Sequence, residues 1–154
     1  PQGTSQSTTG DCSPIINGNG NTNICPHSAV SISPEQASAI RDYLKIRKMS
    51  GKVWVGYEYA APQGKQVADA LVWALRGAGI TADDPTGSMM LSGCDPGKQY
   101  PGLAFDCVND GNKDLAAAIA YALVDAKVVS APVNAAGAFA SQNSGTLGII
   151  IRRP

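Results

Sequence analysis

The chain of 154 residues is 44% hydrophobic and 16% charged, and its twelve basic residues balance twelve acidic ones. This length and composition indicate one globular domain with a short appendage. Balanced charge gives no long-range attraction to nucleic acid or to anionic lipid, so we expect no nucleic-acid partner. Because Pro1 is not a start methionine, we expect a fragment or a mature form, in contact with a membrane only through an upstream anchor.

Four cysteines form two local pairs of equal spacing, Cys12 with Cys25 and Cys94 with Cys107. Neither pair has Cys-x-x-Cys spacing, and with His27 as the sole histidine a zinc site would need four thiolates at unusual spacing. Closing a loop of this size stabilises a fold by about 3 kcal/mol in the chain-entropy model. We therefore predict two intrachain disulfides, and with them a periplasmic or extracellular location.

Composition divides the chain into an arm over residues 1–30, a connecting helix over 31–50 and a compact α/β domain over 51–154. The arm is rich in Gly, Ser, Thr and Asn, and asparagine recurs at every second position from Asn17 to Asn23. In a strand this period places the asparagines on one face, whereas the Asn-Gly pairs favour a hairpin. Stacked strands from several chains would order both the asparagines and the isoleucines, which predicts a homo-oligomer formed through the arm. Docking of the arm on its own domain is the alternative. The candidate assembly surface comprises Ile15, Ile16, Asn17, Asn19, Asn21, Asn23 and Ile24.

A helix is predicted over residues 33–49, where Ser33 is the N-cap, Pro34 is the first helical residue and Gln36 completes a capping box. Alternating apolar residues then predict a strand over 53–59. The remaining predicted elements are a helix over 63–78, a short strand over 88–91, a strand over 102–108, a helix over 113–126 capped by Asn112, an extended segment over 128–133 and a buried strand over 146–152.

An internal similarity relates residues 74–80, Ala-Leu-Arg-Gly-Ala-Gly-Ile, to residues 122–128, Ala-Leu-Val-Asp-Ala-Lys-Val. The strand before each segment begins at a similar distance upstream. Each half of the domain therefore resembles a strand–helix–strand unit. This predicts an α+β fold with two split βαβ units in the ferredoxin-like plan, and a small Rossmann-like α/β sheet is the alternative.

Candidate catalytic chemistry is sparse. As the sole histidine, His27 would have to be the base of any Ser-His or Cys-His catalytic pair. No Gly-x-Ser-x-Gly segment is present, and the cysteines are better explained as disulfides. The Asp83-Asp84 segment has ordinary turn composition. We therefore predict no catalytic residue, no metal site and no cofactor.

Residues 106–112 are similar to a calcium loop, and Asp114 follows closely, but the regular Asp-x-Asn-x-Asp-Gly register and a closing glutamate are missing. We interpret these residues, including Asp106 and Asp110, as a capped strand-to-helix turn. Trp54 lies opposite the Val53 row of the predicted strand, where it either packs beneath a helix or is exposed.

Residues 7–14, Ser-Thr-Thr-Gly-Asp-Cys-Ser-Pro, continue into Gly-Asn repeats. This segment resembles one found in a group of bacterial proteins of unknown function, where a Ser-Thr-x-Gly-Asp-x-Ser-Pro stretch follows an N-terminal membrane anchor. The Ala-Gly-Ile turn and the Ile-rich terminal strand ending in Arg-Pro are similar to features of the same group. The resemblance implies a membrane-tethered periplasmic setting and transfers no catalytic residue.

These observations together predict a non-enzymatic module of the bacterial cell envelope, which self-associates and binds an envelope protein or the cell wall. A fold-level analogy connects it with the SPOR type of peptidoglycan-binding domain. The alternative is a small-molecule sensor or an enzyme with a site in one of the two acidic loops, which are residues 106–112 and the Asp83-Asp84 segment.

Overall fold

The computed structural model describes residues 29–91, 94, 101–130, 133 and 146–154. The predicted Cys12–Cys25 disulfide, the candidate assembly surface of the arm and His27 lie outside the described residues, as does part of the predicted extended segment over 128–133.

Helix α1 spans Pro34–Ile46, and its start confirms the sequence prediction. Ser33 Oγ accepts a hydrogen bond from Gln36 N at 3.1 Å, while Gln36 Oε1 accepts one from Ser33 N at 2.9 Å. Both bonds satisfy N–H groups that a helix start otherwise leaves unpaired. Ile40 and Leu44 are fully buried in the main hydrophobic core, so α1 is an integral layer of the domain as well as a connection.

Within the described residues, the other elements are two helices and five strands. They are β1 (Lys52–Glu58), α2 (Gly64–Gly77), β2 (Thr81–Ala82), β3 (Thr86–Ser88), β4 (Leu103–Asp106), α3 (Lys113–Asp125) and β5 (Leu147–Ile151). The strand order is β2-β1-β5-β4, and β3 pairs with β1. β1 runs parallel to β2, β3 and β5, whereas β4 runs antiparallel to β5. This mixed sheet with three helices confirms an α+β fold.

The ferredoxin-like plan is not confirmed. β1 and β2 are joined through α2 and lie side by side in parallel register. A split βαβ unit would place another strand between them. β2 and β3 pair with different parts of β1, at residues 52–53 and 56–58, while β5 pairs along residues 53–57. Since β5 occupies one edge of β1, the two short strands share its other edge.

The sheet has two chemically different faces, which we call the helix face and the second face. Alternate residues of β1, β4 and β5 enter the same hydrophobic core as side chains from all three helices. The members of this helix face are Val53, Val55, Leu103, Phe105, Leu147, Ile149 and Ile151. The intervening residues form the second face, namely Trp54, Gly56, Glu58, Ala104, Asp106, Gly148 and Ile150, which the pairing register aligns across the three strands.

The internal similarity has a local explanation. α2 ends with Gly79 at φ +88°, and Ile80 N donates to Leu75 O at 3.0 Å. α3 ends with Lys127 at φ +62°, and Val128 N donates to Leu123 O at 2.9 Å. Both are Schellman motifs, in which a left-handed residue turns the chain and a following apolar residue returns to the core. The repeated segment therefore encodes a repeated helix end, and the sheet is not built from two equivalent halves.

Two predicted strands differ from the structure. The short strand expected over 88–91 is replaced by β2 and β3, after which Ser88 Oγ bonds to both Met90 N and Met90 O in a turn. The described part of segment 128–133 does not extend, because Val128 N and Val129 N both bond to Leu123 O and complete the end of α3.

Candidate functional site

The two acidic loops lie at opposite edges of the sheet, one beside β2 and β3 and the other after β4. Asp84 pairs with Arg76 at 3.0 Å, and Asp110 pairs with Lys113 at 3.7 Å. Asp83 and Asp114 are exposed. Sheet topology therefore does not bring the two groups of carboxylates into one site, and the paired carboxylates serve as surface partners of neighbouring cations.

Hydrogen bonds from the side-chain amides of Asn109 and Asn112 stabilise the loop after β4. Asn109 Oδ1 accepts from Gly111 N at 2.8 Å and from Asn112 N at 3.1 Å. Asn112 Oδ1 accepts from Asn109 N at 2.9 Å, and Asn112 Nδ2 donates to Cys107 O at 3.0 Å. α3 begins after Asn112 as predicted, but the side chain of Asn112 makes no capping bond to the helix. It is directed to the loop instead, which supports the turn interpretation of residues 106–112.

The predicted Cys94–Cys107 disulfide is present, with a Cα–Cα distance of 5.3 Å. Asp106 is only 5% exposed, and its carboxylate oxygens accept from Cys94 N at 3.0 and 3.2 Å. Potential ligand atoms of Cys94, Asp106 and Cys107 lie within 4.8 Å of one another. Because the two sulfurs are bonded to each other, they offer no thiolate to a metal in this oxidised form.

A buried ion pair on the second face was not foreseen from the sequence. Arg152 and Glu58 are 8% and 15% exposed, with Nε and Oε2 separated by 3.5 Å. Glu58 Oε2 also accepts from Leu91 N at 3.2 Å, and Arg152 Nη2 donates to Leu91 O at 3.2 Å. A usable signal was present, because Glu58 continues the Trp54-Gly56 row and Arg152 continues the Gly148-Ile150 row with a period of two. Only the β1–β5 pairing, which is non-local, places the two rows side by side.

Trp54 is half-buried on the second face, which is neither of the environments considered from the sequence. A Cβ added to Gly56 would lie 2.6 Å from Trp54 Cη2 and 3.1 Å from Leu91 Cδ1. A Cβ added to Gly148 would lie 3.5 Å from Trp54 Cε3. The indole ring therefore rests against two glycines on neighbouring strands, and a larger residue at Gly56 would displace it.

The most exposed tryptophan marks a surface that we call the Trp73 surface. Trp73 is 49% exposed on α2 and lies between two adjoining concavities of about 430 and 400 Å³. The surface is lined by Ile32, Pro34, Arg41, Asp69, Trp73, Arg76 and Asp84. The helical spacing of the sequence predicts an apolar stripe on α2 formed by Val67, Ala70, Leu71, Ala74, Leu75 and Ala78. Trp73 falls outside this stripe, and that position was the sequence signal for its exposure.

Both arginines of the Trp73 surface are held in place. The guanidinium carbon of Arg41 lies 5.1 Å from the centre of the Trp73 ring, and Arg41 Nε bonds to Asp42 at 3.0 Å. Arg76 donates to Ala82 O at 2.7 Å and to Asp84 at 3.0 Å. A cation over an indole face is attracted by the ring quadrupole, so Arg41 and Trp73 restrict each other. These contacts restrict the side-chain conformations of both arginines.

A second aromatic surface, which we call the tyrosine shelf, lies where β1 leads into α2. Tyr59 is 62% exposed and meets Tyr57 edge to face, with ring centres 6.0 Å apart. The rings border a concavity of about 330 Å³ that Gln63, Lys65 and Gln66 also line. The hydrogen bond and charge of Asp69 raise the pKa of Lys65 above its ordinary value, which keeps this lysine cationic.

Comparisons with models of protein families, with curated proteins and with solved structures gave no match. Among the described residues, no helix combines the length and apolar character needed to cross a bilayer.

Proposed function

We propose that this chain is a non-enzymatic, extracytoplasmic binding module of a bacterial cell envelope, and that its domain binds a polypeptide partner through the Trp73 surface. The observation that carries the proposal is a half-exposed tryptophan with the Arg41 guanidinium over its ring, situated between two concavities. Trp and Arg are the residue types that most often dominate binding energy at protein interfaces. An indole ring exposed in water also gains free energy when a partner covers it.

The chemistry of the Trp73 surface favours a polypeptide over a small anion. Two arginines, Arg41 and Arg76, and two aspartates, Asp69 and Asp84, line the same surface, so its charges are mixed. Mixed charges around an aromatic centre suit a partner that offers both apolar contacts and charged side chains. Because the arginines are already paired, binding would cost little side-chain ordering.

The location is inferred from the disulfides and the arm. The Cys94–Cys107 bond supports an oxidising compartment, and a periplasmic, membrane-tethered setting is the more specific form of the proposal.

Self-association through Ile15, Ile16 and the alternating asparagines of the arm remains part of the same proposal. Light scattering on the full chain tests it, because replacing both isoleucines with serine should abolish the oligomer. A monomeric parent chain would contradict this part.

The tyrosine shelf supports a second candidate, binding of cell-wall glycan. A hexose ring stacks its C–H face on an exposed aromatic ring, and the amides of Gln63 and Gln66 could bond to its hydroxyl groups. This candidate does not depend on a ferredoxin-like fold or on the SPOR analogy. Pelleting with purified peptidoglycan sacculi tests it, since Tyr59→Ala should remove binding that Trp73→Ala leaves intact.

Site-specific photocrosslinking tests the polypeptide proposal. A photoreactive phenylalanine analogue replaces Trp73 in the full chain, and the matched control places it at Tyr121, which is 54% exposed on α3. On irradiation in an envelope fraction of the source cell, we expect a discrete protein adduct at position 73 that is missing at position 121. Equal adducts at both positions, or none at position 73, would contradict the proposal.

A further inference from the structure

The balanced overall charge of the chain conceals an uneven distribution along it. Residues 41–52, which run from the middle of α1 to the start of β1, contain five of the twelve basic residues and a single acidic one, Asp42. The five basic residues are Arg41, Lys45, Arg47, Lys48 and Lys52. Attraction to a charged partner depends on the local field as well as on net charge, so this segment can attract anions although the whole chain is neutral.

The end of α1 and the start of β1 form one exposed patch. α1 ends at Ile46, and Lys48 at φ +54° then turns the chain, with Met49 N bonded to Leu44 O at 3.4 Å. Lys52 is the first residue of β1, and the four residues of chain that separate it from Lys48 span at most about 14 Å. The exposed members of this patch, which we call the basic tip, are Lys45, Ile46, Arg47, Lys48 and Lys52.

The four cations of the basic tip keep their charge available for a partner. Among the described residues, no acidic side chain forms an ion pair with any of them. Asp42, the acidic residue of the same segment, is bonded to Arg41 at 3.0 Å. Arg47 donates to the carbonyl oxygen of Tyr43 at 3.0 Å, a neutral acceptor that leaves the positive charge in place.

Two neighbouring elements carry acidic residues at this end of the domain. The start of α3 lies close by, because a Cβ added to Gly51 would lie 2.8 Å from Leu115 Cδ2. β2 begins opposite Lys52, with Thr81 as its register partner. The charged residues of these two neighbours are Asp110, Lys113 and Asp114 beside α3, and Asp83 and the Arg76–Asp84 pair beside β2. Each group sums to one negative charge, so the four cations of the basic tip leave this end positive.

An exposed isoleucine lies among the cations. Ile46 is 77% exposed, whereas Leu44 is fully buried. Successive helical residues are about 100° apart, so Ile46 points away from the core with Lys45 and Arg47 to either side. Cations at a helix C-terminus are favoured by the helix dipole, which accounts for Lys45 and Arg47 but gives no reason for an exposed isoleucine between them. An apolar side chain flanked by long cationic ones is typical of segments that lie at a membrane surface.

We propose that the basic tip is a membrane-contact site, which binds a bilayer containing anionic phospholipid by placing its cations at the phosphates and Ile46 between the headgroups. The tip lines none of the three concavities described above, and a projecting helix end suits a broad surface better than a small anion. Nucleic acid would pair with the cations but would offer the isoleucine no apolar layer. The inference goes beyond the expected upstream anchor, and it is independent of the Trp73 surface.

Sedimentation of the full chain with lipid vesicles tests the proposal. One set of vesicles contains phosphatidylglycerol and phosphatidylcholine in equal amounts, and the control set contains phosphatidylcholine alone. We expect binding to the anionic vesicles at low ionic strength, little binding to the neutral ones, and loss of binding at high salt, because salt screens exposed charges. Equal binding to both sets, or no binding to the anionic set, would overturn the proposal.

A pair of charge variants locates the contact. Lys45→Gln combined with Lys48→Gln should weaken binding to the anionic vesicles by roughly fivefold for each lysine. The matched control is Lys65→Gln combined with Lys127→Gln, which removes the same charge from exposed positions elsewhere. Lys127, like Lys48, is a left-handed residue at a helix end, but it lies beside the start of α1, where Gln36 Nε2 donates to its carbonyl oxygen at 3.2 Å. Equal losses in the two pairs would show that the tip is not the contact.

A pair of apolar variants separates a lipid surface from other polyanions. Ile46→Ser should weaken binding to the anionic vesicles by roughly tenfold, because the isoleucine no longer enters the interface. Met89→Ser, at an apolar residue that is 85% exposed outside the tip, is the matched control and should leave binding unchanged. If Ile46→Ser binds as well as the parent chain while the lysine pair loses affinity, the tip recognises negative charge alone and the assignment to a lipid surface is wrong.

Discussion

The two faces of the sheet are stabilised in different ways. On the helix face, aliphatic side chains of β1 and β5 pack against three helices, and stability comes from burial of apolar surface. On the second face, two glycines and Trp54 lie beside a buried ion pair, a buried aspartate and a disulfide. The contrast shows that one sheet can combine a deep apolar core on one face with an ion pair and a disulfide on the other.

The largest difference between the faces should appear in leucine truncations. Leu71 is fully buried on the helix face, and we expect Leu71→Ala to lower the free energy of unfolding by about 4 kcal/mol. Leu91→Ala on the second face should cost about 2 kcal/mol, because Leu91 is 5% exposed and lies outside the main hydrophobic core. Urea denaturation of the two full-chain variants measures both values. Equal losses would show that Leu91 belongs to a core as closed as that around Leu71.

The ion pair gives the next largest effect. Arg152→Ala leaves the carboxylate of Glu58 in a site with 15% exposure, and we expect a loss of about 3 kcal/mol. Glu58→Gln combined with Arg152→Met should recover part of this loss, since no charge is then buried alone. A double-mutant cycle in urea measures the coupling. A loss below about 0.5 kcal/mol for Arg152→Ala would place the pair among ordinary surface ion pairs.

The smallest effect concerns the helix ends that border the helix face. Gly79 has φ +88°, and a Cβ added there would meet nothing within 4 Å, so Gly79→Ala should cost about 1 kcal/mol through backbone strain alone. Lys127 occupies the same position after α3 at φ +62°, and Lys127→Gly should change stability in the opposite direction by at most about 1 kcal/mol. Thermal melts of both variants measure the signs. Two changes of the same sign would contradict the shared Schellman geometry.

The sequence allowed prediction of the elements with strong local signals. Ser33 and Gln36 determined the start of α1, and the apolar row of β1 and the isoleucines of β5 identified their strands. β2 and β3 contain two and three residues, and their pairing depends on the register of β1 rather than on their own composition. For the same reason, the strand order and the Glu58–Arg152 contact could not follow from local patterns.

The candidate sites show a similar division. Local spacing predicted the Cys94–Cys107 disulfide, because loop closure favours neighbouring cysteines. Exposure of Trp73 could have been inferred from its position outside the apolar stripe of α2. Its pairing with Arg41 could not, because it requires α1 and α2 to pack together. The concavity beside Tyr59 likewise depends on how the chain turns from β1 into α2.

The affinity of the full chain for the protein crosslinked at position 73 tests the proposed function most directly. Trp73→Ala should weaken binding by about 2 kcal/mol, or roughly thirtyfold, as expected for a central tryptophan of an interface. Tyr121→Ala, an equally exposed aromatic residue on α3, should stay within about twofold of the parent chain. Isothermal titration calorimetry supplies both dissociation constants. Equal affinities of the parent chain and Trp73→Ala would contradict the assignment of the Trp73 surface as the binding site.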